Sequence, residues 1–416
     1  MFRLRIFGWL RIRPTVQIAC AAALLVSVAA AGAVHAANNS VQGAPKKEEG
    51  GYDTDAPNAI LIEATSGSIL FEKNADQLTA PSSMLKLMTL EVVFNAIQKG
   101  ELKLSDDYRV STNAWRKGGA PSIGPKMFAA INTRILIDDL LRGAIISNGN
   151  DACIVIAEGM SGSEQAFTER MTKRARELGL TQATFANSSG QPDPNNKMTV
   201  REIARLARHI VLNYPEQYQI FKEREFTWSK IKQQNQNALL ASMTSADGMV
   251  MGATKEGGYG MVGSAVQNGQ RLIVVVNGVD DPDDRVTEAR KLLEWGFRNF
   301  ETRTLFAADQ LVGYARVFGG DSRSVALAST TPITMMVQRN GSDKLLARII
   351  YNGPIPAPVE SGKSVGVLRV LRNGAVAVEA PLQTIDAVGV GSTTRRAVDG
   401  VSELFSGLFR AGVGKL

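Results

Sequence analysis

The sequence predicts a mixed α/β (α+β) chain in which an antiparallel sheet is flanked by helices and followed by a smaller C-terminal all-β domain. Three observations predict it. Near the start, Ala59-Ile60-Leu61-Ile62 and Ser68-Ile69-Leu70-Phe71 flank the turn Thr65-Ser66-Gly67, which reads as a hairpin. Strand-like stretches return only at 248–252, 259–266 and 272–276, with helical patterns between. After Phe300 the pattern becomes short alternating stretches broken by Gly319-Gly320-Asp321, Arg339-Asn340-Gly341 and Arg372-Asn373-Gly374. Strands, helices and strands again is the order of a sheet covered by helices inserted between its strands.

Each element has its own reason. The segment 82–99 is apolar on nearly every face and is stopped by Gly100, so it predicts a helix buried in the middle of a domain. Segments 135–143, 151–159, 163–178 and 199–212 place apolar residues at three- and four-residue spacing and predict further helices. A helix over 284–297 closes this region. The expected domains are 58–300 and a β-rich 301–390. At 416 residues two folded units and tails are the starting expectation.

The ends read differently. Residues 1–36 carry Arg3, Arg5, Arg11 and Arg13, an Ala-rich apolar run and Val34-His35-Ala36, the plan of a secretory signal cleaved before Ala37. Residues 37–57 are polar without an apolar period and predict a flexible leader. The tail 391–416 puts Val398, Val401, Leu404, Phe405, Leu408 and Phe409 on one helical face with basic residues near its ends. That pattern suits an amphipathic helix on a membrane surface, with a frayed tail or a helix docked on the β-domain as the alternative. The expected location is therefore periplasmic, peripheral on the outer face of the inner membrane. With the signal's four arginines removed, the net charge falls from +7 to +3, so the basic balance makes no case for nucleic-acid binding. Mean hydropathy of −0.05 does not suggest a polytopic membrane protein. No cofactor or metal is expected: the two histidines are His35, in the signal, and His209, read as structural. Cys153 alone would remain in the mature chain and has no disulfide partner.

Ser83-Met84-Leu85-Lys86 sets a hydroxyl and an amine one helical turn apart on a buried helix. Burial disfavours an ammonium, so Lys86 can serve as the base that activates Ser83. Alone the spacing is weak, since it is expected about once by chance in a chain of this size. Context strengthens it. Ala64-Thr65-Ser66-Gly67, Pro81-Ser82-Ser83-Met84-Leu85-Lys86-Leu87-Met88-Thr89, Gly149-Asn150-Asp151-Ala152-Cys153, Phe221-Lys222-Glu223-Arg224-Glu225-Phe226-Thr227 and Leu293-Glu294-Trp295-Gly296-Phe297-Arg298 occur in order. Over nearly its whole length the chain resembles the low-molecular-mass penicillin-binding proteins, the serine D-alanyl-D-alanine carboxypeptidases.

The resemblance implies a serine transpeptidase/β-lactamase-like fold and two-step acyl transfer on the D-Ala-D-Ala stem peptides of peptidoglycan, with β-lactams as further ligands. It implies Ser83 as nucleophile, Lys86 as base, and the backbone N–H groups of Ser83 and Ala253 as the oxyanion hole. It also marks departures. The family's Ser-x-Asn falls on Asn148-Gly149-Asn150, leaving an amide where a hydroxyl relays a proton. Ser147 stands one position early, and Ser147-Asn148-Gly149-Asn150 otherwise reads as a tight Asn-Gly turn. The family's Lys-Thr-Gly falls on Val250-Met251-Gly252, and an upstream arginine on Gln236. Arg285 matches an arginine on the active-site side of the family and is a candidate substrate-binding residue. Loss of the ammonium at 250 implies a higher Lys86 pKa. The expectation is divided between a working carboxypeptidase with unusual auxiliary residues and a catalytically impaired homologue that binds peptidoglycan or regulates a cell-wall enzyme. A β-lactamase is disfavoured by the extra β-domain.

Overall fold

The structure is a computed structural model that describes residues 52–399 other than 340, 342, 343, 373 and 398. The expected signal, leader residues 37–51 and the tail beyond residue 399 lie outside the described residues.

Strands β1 (Asn58–Glu63) and β2 (Ile69–Lys73) form the expected antiparallel hairpin. Its turn is closed by the Glu63 carboxylate, which accepts the backbone N–H groups of Thr65 at 2.8 Å and Ser66 at 2.5 Å. A 3-10 turn, Ser82–Leu85, then leads into α1 (Lys86–Gln98), ten of whose 13 residues are buried. The predicted helix 82–99 is thus two kinds of helix joined at Lys86.

A short ribbon of β3 (Asp107–Arg109) and β4 (Arg134–Leu136) brackets α2 (Thr112–Gly118). Next come α3 (Ile137–Ile145), α4 (Asn150–Ser161), α5 (Glu164–Glu177) and α6 (Val200–Asn213). Two of these start on the signals expected of helix N-termini: Ser163 accepts from Ala166 N–H, and Thr199 with Glu202 forms a capping box. A second ribbon, β5 (Glu225–Trp228) and β6 (Ile231–Gln234), and the single turn α7 (Leu239–Ser242) lead to a meander. The meander is β7 (Ala246–Thr254), β8 (Gly258–Gln267) and β9 (Gln270–Val279), followed by α8 (Pro282–Asn299), capped by Asp281 with Pro282 in its first turn.

The central sheet runs β2-β1-β9-β8-β7, antiparallel throughout, with β7 at one edge. Strand alternation divides its side chains between two layers. Ile60, Ile62, Val262, Ile273 and Val275 join the helical core around α1, whereas Leu61, Met261, Leu272, Val274 and Val276 face the core that holds Leu292 and Leu293 of α8. The same alternation sends Val250 to the helical side and Met251 to the α8 side. Buried charge is paired within the helical layer: Glu91 of α1 meets Arg174 at 2.9 Å and the Tyr214 hydroxyl at 3.0 Å, and His209 lies 3.5 Å from it.

The C-terminal domain is all β, as expected. It comprises β10 (Phe300–Phe306), β11 (Gly313–Phe318), β12 (Ser324–Ala328), β13 (Ile333–Gln338), β14 (Leu345–Tyr351), β15 (Ile355–Pro356), β16 (Ser364–Arg372) and β17 (Ala375–Thr384). One sheet pairs β10 with β13, and the other runs β14-β16-β17-β12-β11-β15. Arg372 of this domain donates to the Ile69 carbonyl of the central sheet.

One boundary is corrected. Residues 52–57, read as the end of a flexible leader, are packed: Tyr52 lies 5.1 Å from the Trp295 ring, Thr54 Oγ1 donates to Glu288 Oε2 at 2.6 Å, and Ala56 is fully buried. These partners are more than 200 residues away in sequence, so no local period announces them.

Candidate active site

Ser83 sits in the 3-10 turn, where residues three apart eclipse each other, so its hydroxyl and the Lys86 amine meet directly. Lys86 Nζ lies 2.8 Å from Ser83 Oγ, 2.8 Å from Asn150 Oδ1 and 2.7 Å from the Ser189 carbonyl. Lys86 is buried and Ser83 half-buried. Burial pushes the Lys86 amine down to about 8, against a small opposing pull from Cys153 and Asp151. At pH 7 about one molecule in ten then carries a neutral amine, against about one in several thousand for an exposed lysine. The ammonium donates to all three oxygens, and on losing its proton the amine keeps its bonds to the two carbonyl oxygens and turns its lone pair to the Ser83 O–H. With Val250 in place of an ammonium the amine still lies well below its ordinary value, because desolvation lowers it.

Two elements hold those partners. Asn150 opens α4, and the next residue, Asp151, accepts the backbone N–H groups of Met127 at 2.9 Å, Ala129 at 3.0 Å and Ala152 at 3.0 Å, which fixes the helix start. The loop after α5 carries Ser189, and the neighbouring Ser188 carbonyl accepts Thr89 Oγ1 at 2.6 Å from the second turn of α1. Sequence reasoning missed this loop. Its sign was the run Asn187-Ser188-Ser189-Gly190, which reads only as a turn.

The opposite wall is the edge strand β7. At Gly252 an added Cβ would lie 2.1 Å from Ser82 Oγ and 2.6 Å from Ser83 N, so only glycine lets this strand approach the nucleophile so closely. Its position is set further down the strand, where Asp247 takes two bonds from Arg271 at 2.8 Å each and one from the Tyr218 hydroxyl at 2.9 Å. Ala253, the expected second oxyanion donor, is exposed and follows Gly252 along this edge.

Family models match both parts of the chain: D-alanyl-D-alanine carboxypeptidase over residues 42–281, and the penicillin-binding protein 5 C-terminal domain over residues 300–389. The D-alanyl-D-alanine carboxypeptidase DacC of Escherichia coli is 37% identical over 354 residues, 84% of this chain and 88% of that protein. The chain belongs to the D-alanyl-D-alanine carboxypeptidase family. Penicillin-binding protein 5 of Haemophilus influenzae is similar in structure, with a TM-score of 0.73 at 35% identity over 82% of this chain and 99% of that one. Penicillin-binding protein D2 of Listeria monocytogenes, solved in its cefotaxime-bound form, has a TM-score of 0.54 at 25% identity over 59% of this chain and 99% of that one. The serine transpeptidase-like fold with its C-terminal β-domain is thereby shown.

Within this cleft Asn148, Ser147, Val250, Met251, Gln236 and Arg285 occupy particular places. Asn148 has φ of 52°, in the left-handed region, and its Nδ2 donates to the Met251 carbonyl at 3.0 Å, joining the helical wall to the edge strand. Its Oδ1 is buried without a hydrogen-bond partner among the described residues. The Asn-Gly turn reading is corrected: Gly149 is at φ −66°, and only Asn148 is left-handed. Gly149 is needed for space instead, since a Cβ there would lie 2.9 Å from both the Gly143 carbonyl and Asp151 Oδ1. Ser147, one position early, does not stand in for the missing hydroxyl, because its Oγ is buried and bonded to neither Ser83 nor Lys86.

Val250 leaves β7 on the same face as Gly252, the face toward Ser83, and is 6% exposed in the helical core. Met251 turns to the α8 layer, so positions 250 and 251 do not face the nucleophile together. Gln236 donates its backbone N–H to the Ile146 carbonyl at 3.0 Å, which places it near the second-motif segment. Arg285, from the first turn of α8, donates Nη1 to the Gly252 carbonyl at 3.0 Å and stacks 5.2 Å from the Tyr259 ring centre. Burial holds its guanidinium below the usual arginine range.

Proposed function

We propose that this carboxypeptidase-family protein forms an acyl-serine at Ser83 with peptidoglycan stem peptides ending in D-Ala-D-Ala, and with β-lactams, but does so slowly. The observation that carries the reading is the contact of a buried Lys86 amine, shifted to about 8, with Ser83 Oγ at 2.8 Å. Ser83 Oγ attacks the carbonyl carbon between the two alanines while its proton passes to Lys86 Nζ. The C–N bond then breaks, the departing amine takes a proton, and water later hydrolyses the ester. The slow rate follows from what surrounds this pair. Asn148 has no hydroxyl to relay a proton to the leaving amine, and Val250 offers the terminal carboxylate no cation. A hydrogen bond to a charged group is worth about 1.5–3 kcal/mol, so each missing carboxylate partner weakens recognition by about one to two orders of magnitude.

The test is labelling by a fluorescent penicillin between about pH 6 and about pH 9. Labelling is expected to be slow, absent in Ser83→Ala, and to rise with pH through about 8 as Lys86 loses its proton. Rapid release of D-alanine by the wild type, abolished by Ser83→Ala, would overturn the impairment. A second reading, a non-catalytic peptidoglycan binder, is favoured by the Asn148–Met251 bond that ties the two cleft walls. Complete absence of labelling across the pH range would select it.

We also place the protein in the periplasm, exported by residues 1–36 and held on the outer face of the inner membrane by its tail. The apolar stripe and basic flanks of 391–416 support this. Deleting residues 395–416 should move the protein from the membrane fraction to the soluble one, and an unchanged distribution would remove the anchor.

A further inference from the structure

A cavity of about 420 Å³, lined by none of the residues placed around Ser83, opens where the central sheet meets the C-terminal β-domain. Its walls come from the β1–β2 turn, the β8–β9 turn, the end of α8 and the strands β10 and β13. Its volume is that of a small-molecule site. The charges in it answer one another: Glu63 accepts the Thr65 and Ser66 N–H groups and the Ser66 hydroxyl, and Glu301 takes Arg303 at 3.0 Å and Arg339 at 3.4 Å.

The neutral groups are less well served. Gln270 Nε2, from the central sheet, and Thr302 Oγ1, from the β-domain, both donate to Met336 Sδ, at 3.2 Å and 3.3 Å. A thioether is a weak acceptor, so two good donors, one from each domain, converge on a partner that does little for either. The Asn268 amide and the Thr334 hydroxyl, on the same walls, have no partner among the described residues. The floor is apolar, with Phe297 9% exposed and Met336 fully buried.

A ligand that suits these groups is uncharged, has an apolar face, and brings a strong acceptor able to take two donors at one point. A carbonyl oxygen, with its two lone pairs, is such an acceptor. A pyranose ring carrying an acetamido group joins that carbonyl to a C–H face for Phe297 and a rim of hydroxyls for Asn268 and Thr334. We propose that this junction cavity binds an N-acetylhexosamine unit, whose acetamido carbonyl takes the Gln270 and Thr302 donors in place of the sulfur. A charged ligand is refused, because it must break the Glu301–Arg339 pair or remain unpaired. Since the two donors belong to different domains, the bound sugar also fastens β9 to β10. The inference does not depend on the chemistry of Ser83.

Calorimetry on the full-length protein tests it with N-acetylglucosamine, its linear trimer chitotriose, fully deacetylated chitotriose, and cellotriose, which carries a hydroxyl where the acetamido group stands. Chitotriose is expected to bind saturably and cellotriose about tenfold more weakly. The deacetylated trimer, whose ammonium can only donate, should not bind. Thr302→Val and Gln270→Met each remove one donor and should weaken chitotriose about two- to tenfold while leaving penicillin labelling unchanged. Thr302 is exposed and Gln270 half-buried, and if either variant melts early the ranking of the sugars on the wild type still decides. Monomer binding as tight as that of the trimer identifies a free N-acetyl sugar as the ligand, and affinity that grows with chain length identifies a glycan strand. No binding of either acetylated sugar, equal binding of the acetylated and deacetylated trimers, or an affinity that both substitutions leave unchanged overturns the proposal. Penicillin labelling reports on Ser83 separately, so the acyl-transfer reading and this one can each fail without the other.

Discussion

Lys86→Met should lower the rate at which penicillin acylates Ser83 by about 10²–10⁴-fold, the range over which a positioned general base contributes. The substitution keeps most of the side chain's volume and removes the group that takes the Ser83 proton. It also leaves Asn150 Oδ1 and the Ser189 carbonyl without their shared donor, at a cost of about 1–3 kcal/mol each where water does not replace it. Thermal unfolding must therefore be followed alongside labelling. Loss of labelling in a protein that still melts cooperatively assigns the effect to chemistry. In the wild type the rate should climb with pH through about 8, because the folded pKa of Lys86 lies below its ordinary 10.5 and the reactive form is the neutral one. In Lys86→Met that rise should vanish. A variant labelled as fast as the wild type would mean that another group deprotonates Ser83.

Val250→Lys combined with Asn148→Ser and Met251→Thr should raise penicillin acylation by about 10²-fold or more. The effect is led by position 250. A side chain there leaves β7 on the face that presses on Ser82 and Ser83, so a lysine brings an ammonium to the cleft. It gives the carboxylate a partner worth about 1.5–3 kcal/mol and, as a like charge near Lys86, lowers that pKa further. Asn148→Ser supplies a hydroxyl for the relay and removes the bond to the Met251 carbonyl, freeing the strand edge. Met251→Thr is expected to help least, since Met251 is packed in the α8 layer and its loss costs about 2 kcal/mol of burial. Groups that act as a unit are non-additive, so the triple variant should exceed the product of the single effects. Single and triple variants no faster than the wild type would show that carboxylate recognition does not limit acylation.

The legible part of the candidate site was the part written in short range. Ser83 and Lys86 are three residues apart, and the apolar character of 82–99 is enough to bury them. Gly252 could be placed by resemblance, and the close approach of β7 to Ser82 gives the reason for it. Ser189 was missed because it contributes a backbone carbonyl, a group every residue carries. Residues 52–57 were misread because polar side chains such as Thr54 can be buried when a distant carboxylate, here that of Glu288, receives them.

The sequence by itself determined the first hairpin, the main helices, the later sheet strands and the all-β end, which follow from periodicity and turn residues within a few positions, whereas the short ribbons β3–β4 and β5–β6 and the helices α2 and α7 carried no such pattern. Only the tertiary structure decided that desolvation alone brings Lys86 to about 8, because that value depends on which helices and loops exclude water from one amine. It also decided that Asn148 spans 103 positions to bond the Met251 carbonyl, and that Val250 and Met251 face opposite layers. Charge, burial and partnership are set by what lies within a few ångströms, and at a cleft between a helical layer and a sheet edge those neighbours come from segments far apart in the chain.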